Sequence, residues 1–212
     1  MKEIDQCPVC GCEVNNRVLI CKDYLVSGNN FEITACAECG FNFTNPRPED
    51  DELSDYYKSE EYVSHSESKK GIINRLFLMA RSYTLKKKLK TIQKYSNGKR
   101  LLDIGAGSGS FLDVCKSAGY DCMGLEPDKD AREFALKNYG LELKPIEDFL
   151  NIEENSIDII SMWHVLEHVS DLRLYFNGFK EVLDKDGRLF IALPNNESKD
   201  AKIYGKFWAA YD

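Results

Sequence analysis

The chain has 212 residues and a mass of 24.2 kDa, 43% of them hydrophobic and 30% charged, which is enough to bury a core as one large domain or two small ones. Its 28 Lys+Arg against 35 Asp+Glu give a net charge of -7, which argues against wholesale wrapping of nucleic acid or of an anionic membrane and for a small partner. No apolar run approaches the ~20 residues that span a bilayer, and Met1 to Asp5 have neither block of a signal peptide, so a cytoplasmic protein is expected.

Six of the eight cysteines fall at or before Cys39. Cys7-Pro8-Val9-Cys10-Gly11 and Cys36-Ala37-Glu38-Cys39-Gly40 are matched Cys-x-x-Cys-Gly knuckles. Glycine after each second cysteine lets backbone N–H groups turn toward the thiolates, so Cys7, Cys10, Cys36 and Cys39 are expected to close a tetrahedral, structural zinc site. A redox dithiol at either knuckle is the weaker reading, since two matched pairs are better explained by one shared ion. Cys12 and Cys21 are left over, Cys12 as a competitor of Cys10 for the metal, while Cys115 and Cys122 sit in apolar patterns and read as core. Residues 1–48 therefore read as a small β-rich zinc module. Beyond Pro46-Arg47-Pro48, the spacing of Leu53, Tyr56 and Tyr57 predicts a short helix over Asp51 to Tyr62.

Charge then reverses: residues 66–100 hold eleven basic groups and one acidic, between two acidic blocks. Ile72, Leu76, Met79, Ala80, Tyr83, Leu85, Leu89 and Ile92 recur at helical steps, predicting an amphipathic basic helix that Asn97-Gly98 ends, within a connecting region 49–98. From residue 99 apolar strand-like runs alternate with helical ones. Strands are expected at 100–104, 120–125, 141–144, 157–163 and 188–193, and helices at 110–118, 129–139 and 171–183. This is an α/β pattern, a Rossmann-like, doubly wound, mostly parallel sheet over 99–212.

Leu101-Leu102-Asp103-Ile104 leads into Gly105, Gly107 and Gly109 and then a helix. Glycines there let a ligand approach the backbone, and the helix offers it free N–H groups, which implies a nucleotide-like ligand. The dinucleotide fingerprint needs a glycine at 110, where Ser110 stands, so NAD fits less well. Asp103 can order the loop and receive a ligand ammonium. Glu126 ends the next strand, at the separation from Gly105 that lets a carboxylate meet ribose hydroxyls in doubly wound folds.

Through Asp103, Gly105, Gly107 and Gly109 the sequence resembles the class I S-adenosylmethionine (SAM)-dependent methyltransferases, over about residues 72–195. The resemblance implies SAM as cofactor, Glu126 on its ribose, Glu147 or Asp148 at its adenine and Trp163 along its methionine end. Arg81 and Tyr83 fall where related enzymes close over SAM. It also implies an antiparallel hairpin after the fifth strand, for which the short stretch beyond Leu193 leaves no room, so a C-terminal truncation is expected.

In Trp163-His164-Val165-Leu166-Glu167-His168 a helical turn would put His164, Glu167 and His168 on one face. Three readings stand: general acid/base work led by His164, divalent metal binding by all three, or structural hydrogen bonding. The segment resembles that of ubiquinone-type O-methyltransferases, whose Glu-x-x-Glu-His triplet goes with a divalent cation. Here His164 replaces the first acid, a set that favours zinc over magnesium. The cysteine module, with Phe41-x-Phe43-x-Asn45-Pro46-x-Pro48, resembles the amino-terminal zinc domain of methyltransferases acting on sugars, surface polysaccharides or related metabolites. The expected activity is methyl transfer to a small-molecule acceptor. Its rivals are a zinc-containing RNA-binding or RNA-modifying protein using Lys86-Lys87-Lys88, and a catalytically silent SAM-binding scaffold.

Overall fold

The computed structural model describes residues 1–13, 16–24, 26–49, 52 and 72–211, with backbone alone for 72–74. The helix expected over Asp51 to Tyr62 lies outside the described residues. The chain divides into two compact units, one made of Met1–Ser68, Ser170–Arg173 and Pro194–Asp212, the other of Lys69–Val169 and Leu174–Leu193.

The first unit holds an antiparallel sheet, β1 (Asn16–Lys22), β2 (Asn30–Ala35) and β3 (Asn42–Thr44), in that spatial order. The buried Asp23 carboxylate closes the β1–β2 turn by accepting the Val26 N–H at 3.0 Å and the Ser27 N–H and hydroxyl at 2.6 Å each. Asn45 ties in the chain start through its Oδ1, which accepts the Ile4 N–H at 2.8 Å, and its Nδ2, which donates to the Ile4 carbonyl at 3.0 Å. Downstream, Ser198 caps the short helix α5 (Lys199–Tyr204) by accepting the Ala201 N–H at 3.1 Å.

The second unit begins with helix α1 (Ile72–Tyr95) and continues through β4 (Arg100–Ile104), α2 (Ser110–Ser117), β5 (Asp121–Leu125), α3 (Lys129–Tyr139), β6 (Ile157–Trp163), α4 (Leu172–Val182) and β7 (Leu183–Ala192). Its four strands are all parallel, in the order β5-β4-β6-β7. Residues 101–104 of β4 and 159–162 of β6 are buried without alternation, as strands covered on both faces must be. Leu85, Leu89 and Ile92 of α1 pack with Phe111, Leu112 and Ala135 on one cluster, and Phe149 stacks on Tyr175 with Phe179 against it in another.

Two expectations change here. Leu141–Lys144 is no strand: the chain makes one parallel bridge, Leu125 to Lys144, because the Leu141 N–H is held by the Ala135 carbonyl and Pro145 has no N–H to give. The apolar steps of α1 also split. Leu85, Leu89 and Ile92 face the core, whereas Leu76, Met79 and Tyr83 are exposed, on the stripe that continues as Lys86 and Lys90. Among the described residues no strand follows β7.

The amino ends of β4 and β6 are pinned by Asp158, which accepts the Lys99 and Arg100 N–H groups at 2.8 and 2.9 Å and pairs with the Arg100 guanidinium at 2.5 Å. The Arg100 side chain beside it, with those backbone donors, holds its carboxyl down at about 2, against an ordinary 3.8. Since the folded-state value is the lower one, this contribution is complete well above pH 4 and drains away as the pH falls toward 2. Asp158→Asn should therefore cost about 2 kcal/mol at neutral pH, and the gap between variant and wild type should close in denaturant titrations run down to pH 2 to 3.

Candidate functional site

In a doubly wound sheet, ligands gather at the carboxyl edge where successive connections leave in opposite directions. With the order β5-β4-β6-β7 that point lies between β4 and β6, whose following segments are the glycine loop and the Trp163–His168 turn. Gly105, Gly107 and Gly109 all adopt positive φ, at 72°, 53° and 77°. A Cβ on Gly105 would lie 2.3 Å from Cγ2 of Val165, so a side chain there is barred by backbone angle and by contact together.

Hydrogen bonds hold the loop open-sided. The Leu125 carbonyl accepts the Gly105 and Ala106 N–H groups at 2.8 and 2.9 Å. Glu126, buried at the end of β5, accepts the Gly107 N–H at 2.7 Å through Oε2 and the Asp128 N–H at 3.0 Å through Oε1. Burial pushes its pKa up, and those two N–H groups pull the other way. Asp103 is buried as well and accepts the Ser161 hydroxyl at 2.5 Å. Desolvation raises it to about 7, with the Ser161 bond and the Lys88 charge opposing. Arg81 reaches the same loop from α1, donating to the Ser108 and Ser110 hydroxyls at 3.0 and 2.6 Å. The sequence shows only the basic character of that helix and carries no sign of these serine contacts.

Trp163 is half-buried, edge to face with Phe111 at 5.6 Å, and its buried Nε1 has no protein partner. His164 does not share a helical face with Glu167 and His168. It adopts positive φ (60°) and donates its N–H to the Ala192 carbonyl at 3.0 Å, ahead of a single 3-10 turn over Leu166–His168. Its exposed ring still meets Glu167, Nδ1 to Oε1, at 3.5 Å. Glu147 and Asp148 open the 3-10 turn Ile146–Asn151 that follows the Leu125–Lys144 bridge, Glu147 exposed and Asp148 partly covered.

The Sγ atoms of Cys7, Cys10, Cys36 and Cys39 all lie within 4.8 Å of one another, with Cys7–Cys39 at 3.6 Å and Cys10–Cys36 at 3.4 Å. Tetrahedral zinc–thiolate bonds of ~2.3 Å put sulfurs ~3.8 Å apart, so the four residues fit one ion. The knuckles are built alike: Gly11 and Gly40, at φ 78° and 72°, return their N–H groups to the Cys7 and Cys36 carbonyls at 2.9 Å. The backbone N–H of Cys39 draws the Cys36 thiol toward thiolate. Among the described residues this is the one group of three or more such side chains that gathers its ligand atoms; those of His164, Glu167 and His168 do not gather in this way.

A glycine loop and two buried carboxylates at the switch point of a parallel sheet define the class I methyltransferase architecture. A family profile described as a methyltransferase domain matches residues 77–212. The chain belongs to this methyltransferase family. It is 32% identical over 113 residues to a ubiquinone biosynthesis O-methyltransferase of Glaesserella parasuis, covering 48% of each chain. With the same-named enzyme of Actinobacillus pleuropneumoniae serotype 5b it shares 32% over 127 residues, 53% of this chain and 54% of the relative. The chain thus spans about half the length of the curated relatives it matches. In fold it is similar to a SAM-dependent methyltransferase from Archaeoglobus fulgidus, with TM-score 0.51 and 23% identity over 58% of this chain and 57% of that one.

If Val165 and backbone angle both exclude a side chain at 105, Gly105→Ala should lower unfolding stability by about 2 to 3 kcal/mol, and adding Val165→Ala should restore the part due to contact, read from paired denaturant melts.

Proposed function

We propose that this chain uses SAM to methylate a small-molecule acceptor. The observation that carries the reading is the Glu126 carboxylate holding the Gly107 N–H in a loop of three positive-φ glycines at the switch point. In the proposed site the backbone of Gly105, Gly107 and Gly109 lies against the cofactor. Two bonds to N–H groups leave Glu126 lone pairs for ribose hydroxyls. Asp103 supplies negative charge near the methionine end, Trp163 covers that end, and Glu147 or Asp148 meets the adenine. SAM, when bound, supplies a sulfonium methyl group for direct displacement. No covalent enzyme intermediate is required.

The protein's part in that step is placement and proton removal. With Nδ1 of His164 turned to Glu167, its Nε2 is the ring nitrogen left to take the acceptor's proton, and Glu167 stabilises the imidazolium formed. His168 follows in the same turn. The acceptor class is supported by the curated relatives, named as O-methyltransferases, and the sugar reading by the cysteine module's resemblance. A panel should therefore include phenolic and sugar hydroxyls.

Calorimetric titration with SAM and S-adenosylhomocysteine tests the proposal. Wild type should bind both and Glu126→Ala should bind each at least about ten-fold more weakly. His164→Ala should keep SAM affinity while losing turnover. Absence of binding by folded wild type overturns the reading, and full activity of His164→Ala removes that residue from it.

The four cysteines are proposed to hold one structural zinc ion. Metal analysis should find one zinc per chain, reduced by Cys39→Ser. Chelation should unfold residues around the knuckles, seen as faster amide exchange at 7–12 and 36–41, because structural sites of this kind contribute on the order of 10 kcal/mol to folding.

A further inference from the structure

Lys88 stands out among the basic residues of α1. Its ammonium lies 4.7 Å from the centroid of the Trp163 ring and 5.8 Å from that of Phe111, between two aromatic faces that meet edge to face. The buried Asp103 carboxylate attracts it, while burial among these rings pushes its pKa down. Lys86, Lys87, Lys90 and Lys94 on the same helix are exposed by contrast. Two aromatic rings with a buried carboxylate whose charge acts on the same cation make an environment suited to an onium ion, a cation of low charge density recognised by ring quadrupoles. In this protein that environment holds the chain's own ammonium group.

We propose that Lys88 is a resident cation filling the onium subsite at Trp163 and Phe111, and that it gives way to the sulfonium of the methyl donor. The inference rests on the SAM reading above and adds a role that reading lacks. Two positive charges beside the same rings repel, so the sulfonium of the donor must displace the Lys88 ammonium, whereas the neutral sulfur of the product meets no such repulsion. Lys88 then weakens binding of donor relative to product, and in the empty protein it offsets the charge of Asp103.

The test compares wild type, Lys88→Met and Lys88→Arg by calorimetry with SAM and with S-adenosylhomocysteine. Methionine keeps the apolar stem and removes the charge. Lys88→Met should tighten SAM about ten-fold and leave the product within about two-fold, and Lys88→Arg should resemble wild type. Weaker SAM binding by Lys88→Met, or equal shifts for both ligands, overturns the proposal. A second arm needs no cofactor. The chain has two tryptophans, so in a Trp208→Phe background the fluorescence is that of Trp163. Trimethylsulfonium should change it saturably in Lys88→Ala at concentrations that leave the lysine-containing protein unaltered. The same response with and without Lys88, or none in either, overturns the subsite. If no variant binds either nucleotide while trimethylsulfonium saturates, the cofactor reading fails and the cation exchange at Trp163 stands.

Discussion

The bond on which the candidate site depends joins the Glu126 carboxylate to the Gly107 N–H. A carboxylate that is 5% exposed carries a desolvation cost that only directed N–H donors can offset, and here the donors come from the turn after β4 and from the start of α3. The same carboxylate thus ties together the two loops that border the proposed cofactor site. Replacing Gly107 would also oppose it, since the loop brings that N–H inward only through left-handed backbone at φ 53°. The second buried acid, Asp103, is desolvated with only a serine hydroxyl and the charge of Lys88 to oppose that cost, and its carboxyl is driven up to about 7.

Much of this was legible in the sequence because local and tertiary demands coincide. The limits of β4, α3 and β6 follow the apolar runs and their caps, with Asp128 accepting the Ala131 N–H at one end of α3 and Gly140 left-handed at the other. The cysteine spacing pointed to four sulfurs that do converge. Failures occurred where periodicity says nothing about direction or hydrogen-bond supply. Leu141 and Leu143 are buried as a strand's would be, yet the Leu141 N–H is taken by the Ala135 carbonyl and the pairing with β5 is confined to Lys144. Residues 72–92 offer two apolar stripes, and nothing in their spacing marks Leu85, Leu89 and Ile92 as the one that packs. The placement of Lys88 within that helix, between two rings contributed by α2 and β6, is a tertiary fact with no local signal.

The cysteine module makes sense only against its own core. Among the described residues of the first unit, the buried apolar side chains are Cys7, Cys21, Cys36, Pro48 and Ala201, in contrast with the isoleucines and leucines that fill the sheet of the second. Burying three small thiols releases too little apolar surface to offset the ordering of so many loop residues. Thiolates without a counter-ion would repel at these separations. The proposed zinc ion would meet both difficulties at once, and the knuckle geometry and the thin core support that proposal together.

The backbone at His164 bears on its role. Left-handed φ costs a non-glycine residue about 1 kcal/mol or more, and glycine would remove the cost. The side chain approaches Glu167 at 3.5 Å and its ring is largely exposed, so packing does not account for histidine at this position. The left-handed turn instead leaves the ring exposed just past the carboxyl end of β6, while the peptide N–H stays anchored to β7 through Ala192. Left-handed backbone, a peptide N–H fixed to Ala192 and a ring open to solvent at the switch point are what the proposed role of His164 toward the acceptor requires.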